Sequence, residues 1–115
     1  MDRERAGELL ARERARVERS LAELEPEVLG QEEGGTGQHP ADSGSDLFER
    51  EKDAGMSEDL RAELAAIERA EQRLAGGTYG RSVDSGEPIP DERLEAVPWA
   101  ERTIAEQQRH ERGGH

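Results

Sequence analysis

Two stretches of this chain each carry a single apolar stripe at helical spacing, and little else in it is apolar. In the first, Leu10, Val17, Leu21, Leu24 and Val28 step by 7, 4, 3 and 4 residues, which puts them on one side of an α-helix. In the second, Met56, Leu60, Leu64, Ile67 and Leu74 step by 4, 4, 3 and 7, with Glu71 in the position that the longest step leaves out. A helix with one narrow stripe buries it against one neighbour, so two such helices joined by a connection predict an antiparallel hairpin. Composition agrees. Of 115 residues, 31% are hydrophobic and 3% aromatic against 38% charged, too little apolar surface for a thick core but enough for a solvent-washed coiled coil. The expected fold class is all-α: a long antiparallel helical hairpin with a small C-terminal region and a terminal helix.

Local signals set the boundaries. A first helix is expected over residues 2–29, with Pro26 kinking or stopping it near its end, and Glu8 with Arg12 forms a favourable i,i+4 pair. Residues 30–42 hold four glycines and Pro40, which makes a connection without regular structure. The second helix is expected to start near Ser43 or Ser45, where Ser43 and Asp46 fit an S-x-x-D cap, and to run to Ala75. Gly76 and Gly77 end it. Gly55 marks a break, after which residues 56–59 restart the helix. The chain thus divides into a hairpin over 1–76 and a C-terminal region over 77–115. In the latter, turns follow Gly80, Pro98 closes a short turn or helix containing Arg93 and Leu94, and a last helix is expected from Trp99 to Arg109. Tyr79, Val83, Ile89, Leu94, Val97, Trp99 and Ile104 are its apolar groups, with Trp99 expected to plug a small core.

Charge and motif content exclude several functions. A net charge of −12 without a basic stripe disfavours phosphate backbones, so direct nucleic-acid contact is not expected. No apolar run approaches the ~20 residues of a membrane helix, and the N-terminus lacks an apolar signal core, so a cytoplasmic protein is expected. There is no cysteine, hence no disulfide. The glycine-rich run at residues 34–37 lacks the lysine of a phosphate loop, and the many acidic pairs have no apolar setting to shift their pKa values. An enzyme is not expected.

The most specific motifs lie in the C-terminal region: Gly-Thr-Tyr-Gly at residues 77–80, Ser-Gly-Glu-Pro-Ile at 85–89 and Arg-Leu-Glu-Ala-Val-Pro at 93–98. With the hairpin pattern before them, they make residues 40–107 resemble the DksA/TraR family of bacterial transcription regulators. The resemblance implies a helical hairpin standing on a zinc finger, a chain that binds RNA polymerase, and a hairpin that enters the polymerase's secondary channel. It also implies an Asp-x-x-Asp-x-Ala tip near the catalytic magnesium. Here the tip falls on residues 39–44, where Asp42 matches, His39 replaces the first acid and Gly44 the alanine, while Asp46 stands one helical turn on. Residues 31–59 hold nine acids against Arg50 and Lys52, a net of −7.

The family's four zinc ligands fall on Ser82, Ser85, Thr103 and Glu106, a C-x2-C-x17-C-x2-C spacing with no cysteine in it. Hydroxyls stay protonated at neutral pH and donate poorly to zinc, and one carboxylate does not make a site. His39, His110 and His115 stand elsewhere. The expectation is therefore a zinc-finger-like region without zinc or other cofactor, held by its apolar groups and a hydrogen-bonded cluster of Ser82, Ser85 and Thr103. The function expected is regulation of transcription by a monomer that binds bacterial RNA polymerase through its acidic tip, without DNA contact. The alternative is a helical-hairpin interaction module that has lost polymerase regulation.

Overall fold

The computed structural model describes residues 1–24 and 44–113, with side chains described for 1–24 and 52–113. Four helices follow in order: α1 (Arg3–Leu24), α2 (Gly44–Gly76), α3 (Asp91–Ala96) and α4 (Ile104–Gly113). Among the described residues the only β pairing is a single antiparallel bridge between Arg81 and Pro88. The fold is a helical hairpin carrying a small finger-like region.

The structure divides into two compact units, residues 1–14 with 65–115, and residues 15–64. In the first, Asp2 opens α1, its Oδ1 accepting the amides of Glu4 at 2.9 Å and Arg5 at 3.3 Å, so a carboxylate satisfies donors that the helix itself leaves free. The first turns of α1 run antiparallel to the end of α2: Gly7 lies beside Leu74, while Arg14 meets Glu71 and Glu68. The seam there is made of Ala6, Leu9 and Leu10 from α1 and Ala66, Ile67 and Ala70 from α2, all buried. Alanine and glycine at this seam allow close approach of the backbones. In the second unit, Val17 and Leu21 are buried, and Arg16 Nη2 meets Glu63 Oε2 at 2.6 Å.

The gaps in the two apolar stripes fall opposite each other. Leu10 steps to Val17 past Arg14, and Ile67 steps to Leu74 past Glu71. Arg14 donates Nε to Glu71 Oε2 at 3.1 Å and Nη2 to Oε1 at 2.7 Å. A two-pronged ion pair at the edge of the seam, with both side chains partly exposed, favours this register over a one-turn slip that would part the two charges.

Three expectations along the helices change. Gly55 does not break α2, which passes through it unbroken, with open space where a Cβ would stand. One glycine lowers helix propensity by about 1 kcal/mol, less than a long helix gains by continuing. Met56 is not part of the buried stripe: it is 45% exposed, while Ser57 is 6% exposed. The two stand about 100° apart on the helix, so the path of the packing partner decides which turns inward. The last helix begins at Ile104 rather than Trp99. Residues 25–29 of the expected first helix, the connection over 30–42 and the Ser43 cap lie outside the described residues.

At the other end of α2 the expected stop holds in detail. Gly77 takes a φ of 85°, Thr78 N donates to Arg73 O at 2.9 Å and Gly77 N to Leu74 O at 3.3 Å. That pair of bonds is the Schellman ending that glycine's freedom at positive φ permits.

Candidate functional site

The tip residues separate from the rest at once. His39 and Asp42 lie outside the described residues, and Asp46 falls in the first turns of α2 with its side chain outside them. What the structure does build is the C-terminal region.

That region begins with a tight turn. Arg81 pairs with Pro88, Ser82 N donates to Glu87 O at 2.8 Å, and Gly86, at a φ of 77°, returns its N–H to Ser82 O at 2.9 Å. Ile89 N then bonds Gly80 O at 2.8 Å and points Ile89 into a small core with Leu94 and Ala100, against which Tyr79 and Val97 pack. Tyr79 donates its hydroxyl to Pro98 O at 2.7 Å, and burial chiefly pushes its pKa up to about 12. Trp99 is not in this core. It is half-buried beside Ala66, Val97 and Ala100, lining an open cavity of about 350 Å³ that Arg93 and His110 also border. Val83 and Ile104 are exposed as well, so three of the seven apolar groups named from sequence lie outside the core.

Ion pairs tie this region to the helices. Arg5 on α1 clasps Glu95 on α3 through two bonds of 3.1 and 2.8 Å. Arg69 on α2 does the same to Glu101 at 3.1 and 3.0 Å, and Arg73 adds Nη1 at 3.3 Å. The hydrogen bond from Arg69 is the main reason the Glu101 carboxyl sits below the ordinary range. Arg73 is less well served, since its Nε and Nη2 are buried without a partner.

Ser82 and Ser85 meet Thr103 and Glu106 in one place, with Ser85 and Glu106 standing 21 residues apart in the chain. Ser85 Oγ donates to Glu106 Oε2 at 2.6 Å, and Thr103 N donates to Glu106 Oε1 at 3.0 Å. Thr103 Oγ1 in turn accepts Glu106 N at 3.2 Å. The last two bonds are a capping box, Thr-x-x-Glu, which fixes the start of α4 and explains why the helix begins at Ile104. Ser82 Oγ accepts the amides of Asp84 at 3.0 Å and Ser85 at 3.2 Å, and the Ser82 hydroxyl contributes to lowering the Glu106 pKa. Ser82 and Glu106 are 5% and 8% exposed. Hydrogen bonds from Ser82, Ser85 and Thr103 lower the Glu106 pKa to about 2.

This donor set does not fit zinc. Three of the four groups are hydroxyls, of which Ser85 donates to the carboxylate while the oxygens of Ser82 and Thr103 accept amides, and the carboxylate oxygens are occupied by the Ser85 hydroxyl and the Thr103 amide. Among the described residues no three His, Cys, Asp or Glu side chains group together as metal ligands. The family resemblance pointed to all four positions, whereas the bonding of Ser85 and Thr103 to the Glu106 carboxylate needed the fold. The capping box was legible as Thr-x-x-Glu, but Trp99 after Pro98 offered a competing helix start. No local pattern marks the Arg69–Glu101 or Arg102–Asp84 links, whose partners stand 32 and 18 residues apart.

Residues 77–112 match the model of the prokaryotic dksA/traR C4-type zinc finger. The chain is similar to General stress protein 16O of Bacillus subtilis, 38% identical over 90 residues, which cover 78% of this chain and 55% of that protein. It is 46% identical over 68 residues to the uncharacterised protein YteA of the same organism, covering 59% of this chain and 28% of that one. To the RNA polymerase-binding transcription factor DksA of Caulobacter vibrioides it is 36% identical over 72 residues, 63% of this chain and 51% of that protein. The matched part thus spans about half or less of each of these relatives. Among solved structures, transcription factor DksA2 from Pseudomonas aeruginosa superposes with a TM-score of 0.76 at 27% identity, over 98% of this chain and 86% of that one.

Proposed function

Because the chain belongs to the DksA/TraR family, we propose that it regulates transcription by binding bacterial RNA polymerase. The observation that carries this reading is the fold: the hairpin and its finger-like region together follow those of a DksA2 over 98% of the chain. In the proposed mode the hairpin enters the secondary channel, Asp42 with Asp46 approaches the active centre, and the C-terminal region rests on the channel rim. DNA is not contacted, which suits a chain of net charge −12. An acidic finger is complementary to a channel that admits nucleotides, and such contacts speed encounter and weaken with salt. The chain works in the cytoplasm, as a monomer, without zinc and without a catalytic step of its own.

His39 and Gly44 stand where the family pattern has Asp and Ala, so the effect at the active centre is expected to differ from that of a full Asp-x-x-Asp-x-Ala tip. The test is binding of the purified chain to bacterial core RNA polymerase at low and moderate salt, together with a variant lacking residues 31–59. Salt-sensitive binding that the deletion abolishes supports the channel mode. Absence of binding at tens of micromolar overturns it and favours the second reading, a hairpin interaction module that kept the family frame while its tip residues changed.

A further inference from the structure

We infer that the carboxylate of Glu106 takes the place of a metal ion at the centre of the finger-like region, with the Ser85 hydroxyl and the Thr103 amide as its donors and Ser82 bracing the turn. This goes beyond the polymerase reading and does not depend on it.

The argument begins with what such a region must accomplish. Its core is small: Ile89, Leu94 and Ala100, with Tyr79 and Val97 alongside. Nothing in that cluster belongs to α4, and Ile104 at the start of α4 is exposed. Apolar burial therefore does little to hold α4 to the turn over residues 82–87. In small metal-bound fingers the ion supplies this cross-link and much of the folding free energy. Val83 N to Glu101 O at 2.9 Å and Arg102 Nε to Asp84 Oδ2 at 3.0 Å tie the turn to the segment before α4, and the link to α4 itself runs through one side chain. Glu106 closes the capping box with Thr103 on its own helix and accepts Ser85 Oγ at 2.6 Å from the turn. Ser82 Oγ collects the amides of Asp84 and Ser85 and so braces the turn that presents the Ser85 hydroxyl.

The two arrangements are electrostatic opposites. A zinc cation gathers four anionic or neutral electron-pair donors, whereas here an anion gathers proton donors. Inverting the sign of the centre calls for proton donors in place of electron-pair donors, and the Ser85 hydroxyl and the Thr103 amide supply them. Charge-assisted bonds of this kind are about twice as strong as neutral ones, and Ser82 and Glu106 are shielded from water. The region is thereby free of both metal supply and thiol oxidation.

The test measures metal content and local hydrogen exchange on the untagged chain grown in zinc-supplemented medium. Less than about 0.1 zinc per chain is expected, with amide protection unchanged by a chelator; one zinc per chain overturns the inference. In Glu106→Gln and Glu106→Ala, protection of Gln107 and of the amides of Ser82 and Gly86 should fall about tenfold or more, while Ala6 and the middle of α1 keep theirs. Unchanged protection in both variants overturns the inference. If Glu106→Ala unfolds the whole chain, Ser85→Ala decides the matter, because it removes one donor: a smaller loss confined to the same amides is required. Finally, Ser82→Cys, Ser85→Cys, Thr103→Cys and Glu106→Cys combined should restore a site binding one zinc, with α4 protection now lost on chelation. Wild-type protection in that variant without metal would show the carboxylate to be dispensable and overturn the inference.

Discussion

Glu106 and Arg14 show how much one side chain decides here. Three hydrogen-bonding partners hold the Glu106 carboxyl at about 2 against an ordinary 4.5. A group depressed in the folded state contributes its full stability above the ordinary value and loses it as pH falls through the folded one. Acid between about pH 4.5 and 2 should therefore loosen α4 before α1, followed by NMR titration of Glu106 and by exchange at Gln107. Glu87, Arg93 and Arg109 border the cavity beside Glu106, and the low value owes its direction to hydrogen bonds rather than to them. Glu106→Gln should abolish the early acid step. Arg14 tests a different idea. Glu71→Ala removes two of its bonds and should cost about 1 kcal/mol in denaturant unfolding, since both side chains are only half-buried. Arg14→Leu with Glu71→Leu should be neutral or stabilising yet less selective in register, visible as broadened NMR lines along the seam.

At the scale of the element, glycines separate what pattern can and cannot tell. Gly55 and Gly77 both read as interruptions, but one sits inside α2 with open space around it and the other just beyond its end at a φ of 85°. Gly55→Ala should raise stability by about 1 kcal/mol, because it improves helix propensity and meets nothing. Gly77→Ala should lower it by about 1–2 kcal/mol, because an L-residue is strained at that backbone angle. A shift of midpoint in denaturant with unchanged slope checks both. The expected start of the last helix failed for a similar reason. Apolar Trp99 beside Pro98 suggested a beginning, whereas a side-chain bond between Thr103 and Glu106 fixes the true one.

For the whole molecule, the decisive property is the charge of a chain in which 38% of residues are charged and the net charge is −12. Under the proposed function, binding to RNA polymerase should weaken several-fold between low and moderate salt. Asp42→Ala should change transcription in vitro more than it changes polymerase affinity; an equal loss of both would contradict the division between a tip that acts and a body that binds. The sequence by itself determined the class of this fold, because single stripes at helical spacing admit few arrangements besides a hairpin, and its resemblance to the DksA/TraR frame pointed to Ser82, Ser85, Thr103 and Glu106. It also marked Glu71 as a polar interruption. Only the tertiary structure decided that Arg14 answers Glu71, that Ser57 rather than Met56 turns inward, that Trp99 stays outside the core, and that the Glu106 carboxylate collects the Ser85 hydroxyl and the Thr103 amide. Each of these depends on residues far apart in the chain, and periodicity records which face a residue occupies without recording what lies across from it.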